Sequence, residues 1–386
     1  MGGIPLRIVV APDSFKGSLS SIQAAAAVER GILKDAAKAA RKLEITKIPI
    51  ADGGEGTVEA IVAGAGGEII PARVLDPLGR EIDSMVGILP DRTGVIEMAA
   101  ASGLGLIKPE ERDPLVTTSF GTGQLILKAL EVGCSRLIIG LGGSATNDGG
   151  VGMAQALGGA FLDQNQQPIG FGGGELGKIA KIDLSGIDPR LAGTTVIVAS
   201  DVKNVFCGPD GASAVYGPQK GATPEMVAVL DRNLGNLAEL IKDDLGKEIA
   251  LVPGSGAAGG MGGGLMAFLN AEIKPGIEIV MELTGFREKV READLIITGE
   301  GATDFQTMFG KVPYGVAQVA GEYGKPVLCI SGTLGKGYQK LYNAGITAFF
   351  SIVNRPMTLE EAMDKGEELL EAVAENVMNT LLMFRD

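Results

Sequence analysis

Apolar residues in this chain fall into short strand-length runs. Each run stops in a loop of glycines, acids and hydroxyls, and helical spacing follows the loop. Residues 6–11 read as a buried strand, and Ser20-Ser-Ile-Gln23 is a capping-box pattern opening an alanine-rich helix to about residue 34. Residues 43–51 form a second strand, ending in Asp52-Gly-Gly-Glu-Gly-Thr57 before helical spacing at 58–63. Between 67 and 102 the texture changes to alternating segments with turn signals at Asp76-Pro-Leu-Gly79 and Pro90-Asp-Arg-Thr-Gly94, which predicts antiparallel hairpins. A helix over 119–132, strands over 137–140 and 195–200, and a glycine-dense stretch at 254–264 follow. Strand–loop–helix texture returns with strands at 294–298, 326–331 and 348–353, and the capping box Thr358-Leu-Glu-Glu361 opens a last helix to about 382.

Two strands at the start and three at the end share one style. The pattern therefore predicts a five-stranded, doubly wound parallel α/β domain, residues 1–66 and 280–386, interrupted by a second α/β domain with a mixed sheet, residues 67–279. Ligands of open α/β sheets sit beyond the carboxyl ends of the strands, where this chain concentrates its Gly, Asp, Glu and Lys. The active site is expected in the cleft between the two domains.

A length of 386 residues is compatible with two domains. No apolar run reaches the roughly 18 residues of a membrane span, and no leader pattern is visible, so a cytoplasmic protein is expected. Three scattered cysteines read as reduced thiols. The net charge of −13, with no basic stripe, argues against nucleic acid as a partner. Local lysines and backbone amides can still form an anion pocket on an acidic protein. The absence of histidine removes histidine triads, histidine metal ligands and imidazole acid–base catalysis.

Five loops carry the candidate chemistry. Leu137-Ile-Ile-Gly-Leu-Gly-Gly-Ser-Ala-Thr-Asn-Asp-Gly-Gly150 follows a strand and precedes a helix, a context that offers backbone N–H groups to an anion, with Asp148 able to hold Mg2+ beside it. Asp13-Ser-Phe-Lys-Gly-Ser18 follows the first strand, and its Lys16 can reach a phosphate or a carboxylate. Asp52 and Glu55 suit Mg2+ or a hydroxyl-bearing ligand, and equally a tight turn with helix-capping acids. Asp201-Val-Lys-Asn204 sets a carboxylate beside an ammonium. In Gly299-Glu-Gly-Ala-Thr-Asp-Phe-Gln-Thr307 with Gly310-Lys311, Glu300 and Asp304 are candidates for metal ligand or base, Gln306 for hydrogen bonding and Lys311 for a phosphate clamp. No Walker A sequence and no protein-kinase motif occurs. Gly140-Leu-Gly-Gly-Ser-Ala145 is similar to the phosphate loop of galactokinase-type and homoserine-kinase-type enzymes, whose fold would not explain the terminal doubly wound segments.

Ala11-Pro-Asp-Ser-Phe-Lys-Gly-Ser18, Ala51-Asp-Gly-Gly-Glu-Gly56, Gly142-Gly-Ser-Ala-Thr-Asn-Asp-Gly-Gly150 and Gly299-Glu-Gly301 occur in this order, completed by Asp304, Gln306-Thr307 and Gly310-Lys311. Together they resemble the type-1 glycerate kinase family over essentially the whole chain. The resemblance implies a flavodoxin-like domain split by an inserted α/β domain. It also implies transfer of the γ-phosphoryl group of ATP to D-glycerate with Mg2+, with 2-phosphoglycerate favoured over 3-phosphoglycerate because the family contains enzymes giving that product. Ala302 departs from the family's usual arginine, so any contact made by that arginine must come from elsewhere, such as Lys311 or Lys16.

In the mechanism expected from this chemistry, Gly142, Gly143, Ser144, Thr146, Asn147 and Lys311 hold the ATP phosphates, with Mg2+ near Asp148. Lys16 binds the glycerate carboxylate or bridges to the transferring phosphate, and Asp13, Ser14, Asp52, Glu55, Glu300 and Gln306 are the further substrate contacts. Without histidine the proton acceptor should be a carboxylate, Asp201 or Asp304. The competing readings are a kinase of another small hydroxy acid or alcohol and a non-catalytic binder of small anions.

Overall fold

The computed structural model describes residues 5–34, 42–51, 53–54 and 56–383. The chain divides into two compact units. The first comprises Met1–Asp52, Glu59–Gly66 and Ile277–Asp386, and the second Gly53–Val58 and Gly67–Gly276.

The first unit is built on a five-stranded, all-parallel sheet. Its strands run in the spatial order Ala348–Ser351, Val327–Ser331, Leu295–Gly299, Leu6–Pro12 and Leu43–Lys47. In chain order this is 5-4-3-1-2, the flavodoxin-like arrangement, whose topological switch point lies between Leu6–Pro12 and Leu295–Gly299. All-parallel strands need both faces covered, which explains their near-continuous apolar sequences. Leu6, Ile8 and Val10 pack on the helices Ser21–Lys34 and Gly366–Met383 through Ala24, Ala27, Val28, Leu369, Ala374 and Val377. Helices Phe286–Glu292 and Val312–Glu322 lie against the strands as well.

Most of the expected elements are present. Ser20 and Gln23 form the predicted reciprocal cap, at 2.9 and 3.2 Å. The second strand stops at Lys47 rather than 51. The predicted single last helix is two, Leu359–Asp364 and Gly366–Met383. The break falls at Lys365, and a Cβ on Gly366, which opens the second helix, would lie 2.2 Å from Ser18 Oγ of the first loop.

The second unit carries a six-stranded mixed sheet ordered Glu272–Lys274, Thr195–Ala199, Arg136–Gly140, Thr93–Glu97, Glu81–Ile88 and Glu68–Leu75. The first four strands are parallel, and the last two add the expected antiparallel hairpins. A 22-residue amphipathic helix, Pro224–Leu245, buries Leu230, Leu234, Leu237 and Ile241; sequence reading passed over it. Met98 and Met261 are core residues. Among the described residues no helix is long and apolar enough to cross a membrane.

Candidate active site

In the first unit, the loops after four neighbouring strands line one cavity of about 610 Å3. Asp13, Ser14, Phe15, Lys16 and Ser18 follow Leu6–Pro12, Glu300 to Ala302 follow Leu295–Gly299, Gly332 and Thr333 follow Val327–Ser331, and Ile352 to Met363 follow Ala348–Ser351. The cavity is charged at the switch-point end and apolar where Ile352, Val353, Met357, Leu359 and Met363 enclose it.

The first loop is closed from within. Phe15 N donates to Leu19 O, Ser18 Oγ donates to Met363 O at 2.6 Å, and Gly17 takes a left-handed φ of 79° that a side chain would oppose. This leaves Lys16 exposed at the tip and Asp13 buried beneath it, where Oδ1 accepts from Ser14 N at 2.6 Å. Glu300 is 5% exposed and fully engaged: Oε1 accepts from Thr303 Oγ1 (3.0 Å) and Thr307 Oγ1 (2.6 Å), and Oε2 lies 3.4 Å from Lys311 Nζ. A buried carboxylate thus anchors the lysine at the head of helix Val312–Glu322. Ala302 lines the same cavity with only a methyl group.

Asp304 and Gln306 do not line this cavity. Asp304 caps the short helix Phe305–Phe309, its Oδ1 accepting from Gln306 N at 2.7 Å, and Gln306 is exposed. Asp201, in the second unit, is exposed just after Thr195–Ala199 and accepts from Gly276 N at 3.3 Å. Asp52 and Glu55 lie outside the described residues. The start of the helix next to them is capped by buried Glu97, which accepts from Gly56 N and Thr57 N at 3.0 and 3.1 Å. Sequence reading gave no sign of that carboxylate, because it arrives from the strand Thr93–Glu97.

The 142–150 loop differs most from expectation. Only its start is accessible: Gly143 is exposed and Gly142 half-buried, while Ser144 is 6% exposed and the rest is interior. Gly142 N donates to Gly53 O at 3.1 Å, and a Cβ on Gly142 would lie 2.5 Å from Gly54 Cα, so only glycine allows this approach. Thr146 and Asn147 are fully buried, and Asn147 Nδ2 donates to Ser213 Oγ at 2.9 Å. Both side chains face the interior of their own unit.

Asp148 is enclosed in the same way. It is 1% exposed; Oδ2 accepts from Ser119 N (2.8 Å), Ser119 Oγ (2.8 Å) and Gly152 N (3.3 Å), and Oδ1 from Gly150 N (3.2 Å). Burial pushes its carboxyl upward while the bonds from Ser119, Gly150 and Gly152 pull it back. These four hydrogen bonds tie the loop to its neighbours through Asp148. Asp148→Asn should turn one oxygen into a donor facing donors and destabilise the protein by about 2–4 kcal/mol, read from a urea midpoint. The Mg2+ concentration needed for turnover should not change. A stable variant with a tenfold higher Mg2+ requirement would restore the metal reading.

Beneath the loop lies Lys220, a residue no local pattern flagged. Its Gly217-Pro-Gln-Lys-Gly221 setting reads as a surface turn, yet it is 1% exposed, and Nζ donates to Ser144 Oγ at 2.7 Å and Thr146 O at 2.6 Å. Burial brings its ammonium down to about 7, partly offset by Asp148.

Among the described residues no cluster of three or more Cys, Asp or Glu side chains is arranged to hold a metal. Asp13 and Glu300 are the carboxylates of the cavity, which suits Mg2+ delivered on nucleotide phosphates rather than held by a protein cage. Cys329 is fully buried, and burial pushes its thiol up to about 12. Two lysines and two carboxylates at a switch point are suited to orienting anions and neutralising charge.

The comparisons with known proteins agree with this chemistry. The model of the glycerate kinase family matches residues 8–382. The chain is 51% identical to a glycerate kinase of Halalkalibacterium halodurans, covering 96% of this chain and 97% of that protein. It is 50% identical to the glycerate 2-kinase of Escherichia coli, covering 97% and 98%. The crystal structure of a protein named as glycerate kinase 2 from Salmonella typhimurium LT2 superposes with a TM-score of 0.87 at 47% identity, covering 98% of both chains. With its flavodoxin-like sheet, its inserted mixed-sheet unit and these relatives, the chain belongs to the glycerate kinase family, ATP-dependent kinases that phosphorylate an alcohol group.

Proposed function

We propose that this protein transfers the γ-phosphoryl group of ATP to the 2-hydroxyl of D-glycerate, giving 2-phosphoglycerate and ADP. The observation that carries the reading is the switch-point cavity, with Lys16 exposed at one loop tip and Lys311 held by buried Glu300. Phosphoryl transfer asks little covalent chemistry of the protein; it asks for in-line positioning and compensation of charge on the moving group. The bond from the γ-phosphorus to the bridging oxygen of ADP breaks, the glycerate oxygen bonds to that phosphorus, and the hydroxyl proton leaves to a carboxylate.

In this proposal Lys311 and the accessible 142–144 edge bind phosphate oxygens, and Lys16 binds the glycerate carboxylate or bridges to the transferring phosphate. Ser14 offers a hydroxyl in the same cavity as Lys16. Mg2+, delivered with the nucleotide, would supply charge neutralisation, and Asp13 is the cavity carboxylate that would hold it. Asp201 and Asp304 are the candidate proton acceptors. Product at the 2-position follows the name of the Escherichia coli relative at 50% identity. Incubation with MgATP and D-glycerate followed by 31P NMR should show the doublet of a secondary phosphate ester at C2. The triplet of a primary ester at C3 would overturn the assignment of the hydroxyl.

A further inference from the structure

Lys220 has a position that the mechanism above does not use. Its turn, Pro218–Lys220, is locked: Gly221 takes a φ of 94°, and a Cβ there would lie 2.3 Å from Arg112 O. The side chain is sealed from solvent, and neither acceptor of Nζ is a carboxylate; one is the Ser144 hydroxyl and the other the Thr146 carbonyl. A buried ammonium ordinarily has an acid against it. Here the charge lies directly under the one accessible part of the glycine loop.

The hydrogen bond also sets the direction of the serine. Because Ser144 Oγ accepts from Nζ, its own hydrogen is left for another acceptor, and the neighbouring Gly143 is exposed. The titratable and charged groups on elements packed around the lysine are Asp148 on the glycine loop, Arg112 and Asp113 on the segment against Gly221, Tyr216 ending helix Ala212–Tyr216, and Glu225 in the first turn of Pro224–Leu245. Of these, the charge of Asp148 acts on Lys220 and favours the ammonium.

We propose that Lys220 is a proton-coupled positioning residue: a phosphate or carboxylate engaging the 142–144 edge draws a proton from solvent onto Lys220 Nζ, and the ammonium holds Ser144 Oγ as a donor to that anion. The inference rests on the phosphoryl-transfer reading for the identity of the anion, while its geometry belongs to this loop alone. Since the complex binds the extra proton, affinity for that anion falls as pH rises above 7.

The test is calorimetric titration of the full-length protein, with MgATP in one arm and D-glycerate in the other, in buffers of different ionisation heat. With no carboxylate accepting from its buried Nζ, Lys220 should gain a proton as the ligand at this edge binds at pH 8, and progressively less as the pH is lowered to 6. Lys220→Met should abolish the uptake and raise KM for that ligand at least tenfold, with the other substrate's KM unchanged. Lys220→Arg should recover binding without uptake. A purely structural lysine would leave the wild-type protein with no uptake at pH 8 in either arm, and that result overturns the inference even if the variants do not fold. An active glycerate kinase without uptake sinks only this proposal; uptake in a protein that does not phosphorylate glycerate sinks only the assigned reaction.

Discussion

Of the two variants Asp201→Asn and Asp304→Asn, one should lose about 10²–10⁴ in kcat with KM for both substrates nearly unchanged. The other should remain within a few-fold of wild type. The substitution separates chemistry from structure at both positions. Asp201 Oδ1 accepts from Gly276 N and Asp304 Oδ1 from Gln306 N, and the amide oxygen of asparagine can accept either bond. Asparagine is also a good helix cap, so the short helix Phe305–Phe309 should persist. What asparagine lacks is the capacity to take the hydroxyl proton. Steady-state kinetics beside thermal melts checks this, and full activity in both variants would remove both residues from the reaction.

Lys16→Met should cost about 10²–10³ in kcat/KM, the usual consequence of removing one preorganised charge from a site where charge develops. The loss should be electrostatic in origin. The loop is held by the left-handed Gly17 and by the Ser18–Met363 hydrogen bond, neither of which involves the lysine side chain. Exposed Lys16 should accordingly alter stability by no more than about 0.5 kcal/mol on replacement. Lys16→Arg should restore only part of the rate, because a planar fork presents its charge differently from a compact ammonium. Activity of Lys16→Met within threefold of wild type would place the lysine outside the machinery.

The doubly wound sheet was legible because each parallel strand is a compact apolar run followed by glycine and polar residues, and burial on both faces leaves that mark on the sequence. The loops after Leu6–Pro12 and Leu295–Gly299 were legible as neighbours for the same reason: strand ends of one sheet share an edge. The interior of the 142–150 loop was not. Whether Thr146, Asn147 and Asp148 face solvent or core is decided by Ser119, Ser213, Lys220 and Gly259, which touch the loop from remote parts of the chain. A glycine- and hydroxyl-rich stretch reads alike in both cases. Lys220 was hidden for a further reason, since a lysine in a Gly-Pro-Gln-Lys-Gly turn is ordinarily solvated.

ADP release in the presence of MgATP and a panel of D-glycerate, L-glycerate, glycerol, lactate and homoserine reads the assigned reaction itself. ADP should form rapidly with D-glycerate, with at least a hundredfold lower kcat/KM for each of the others. ADP formation independent of added D-glycerate, or faster with any other member of the panel, would contradict it.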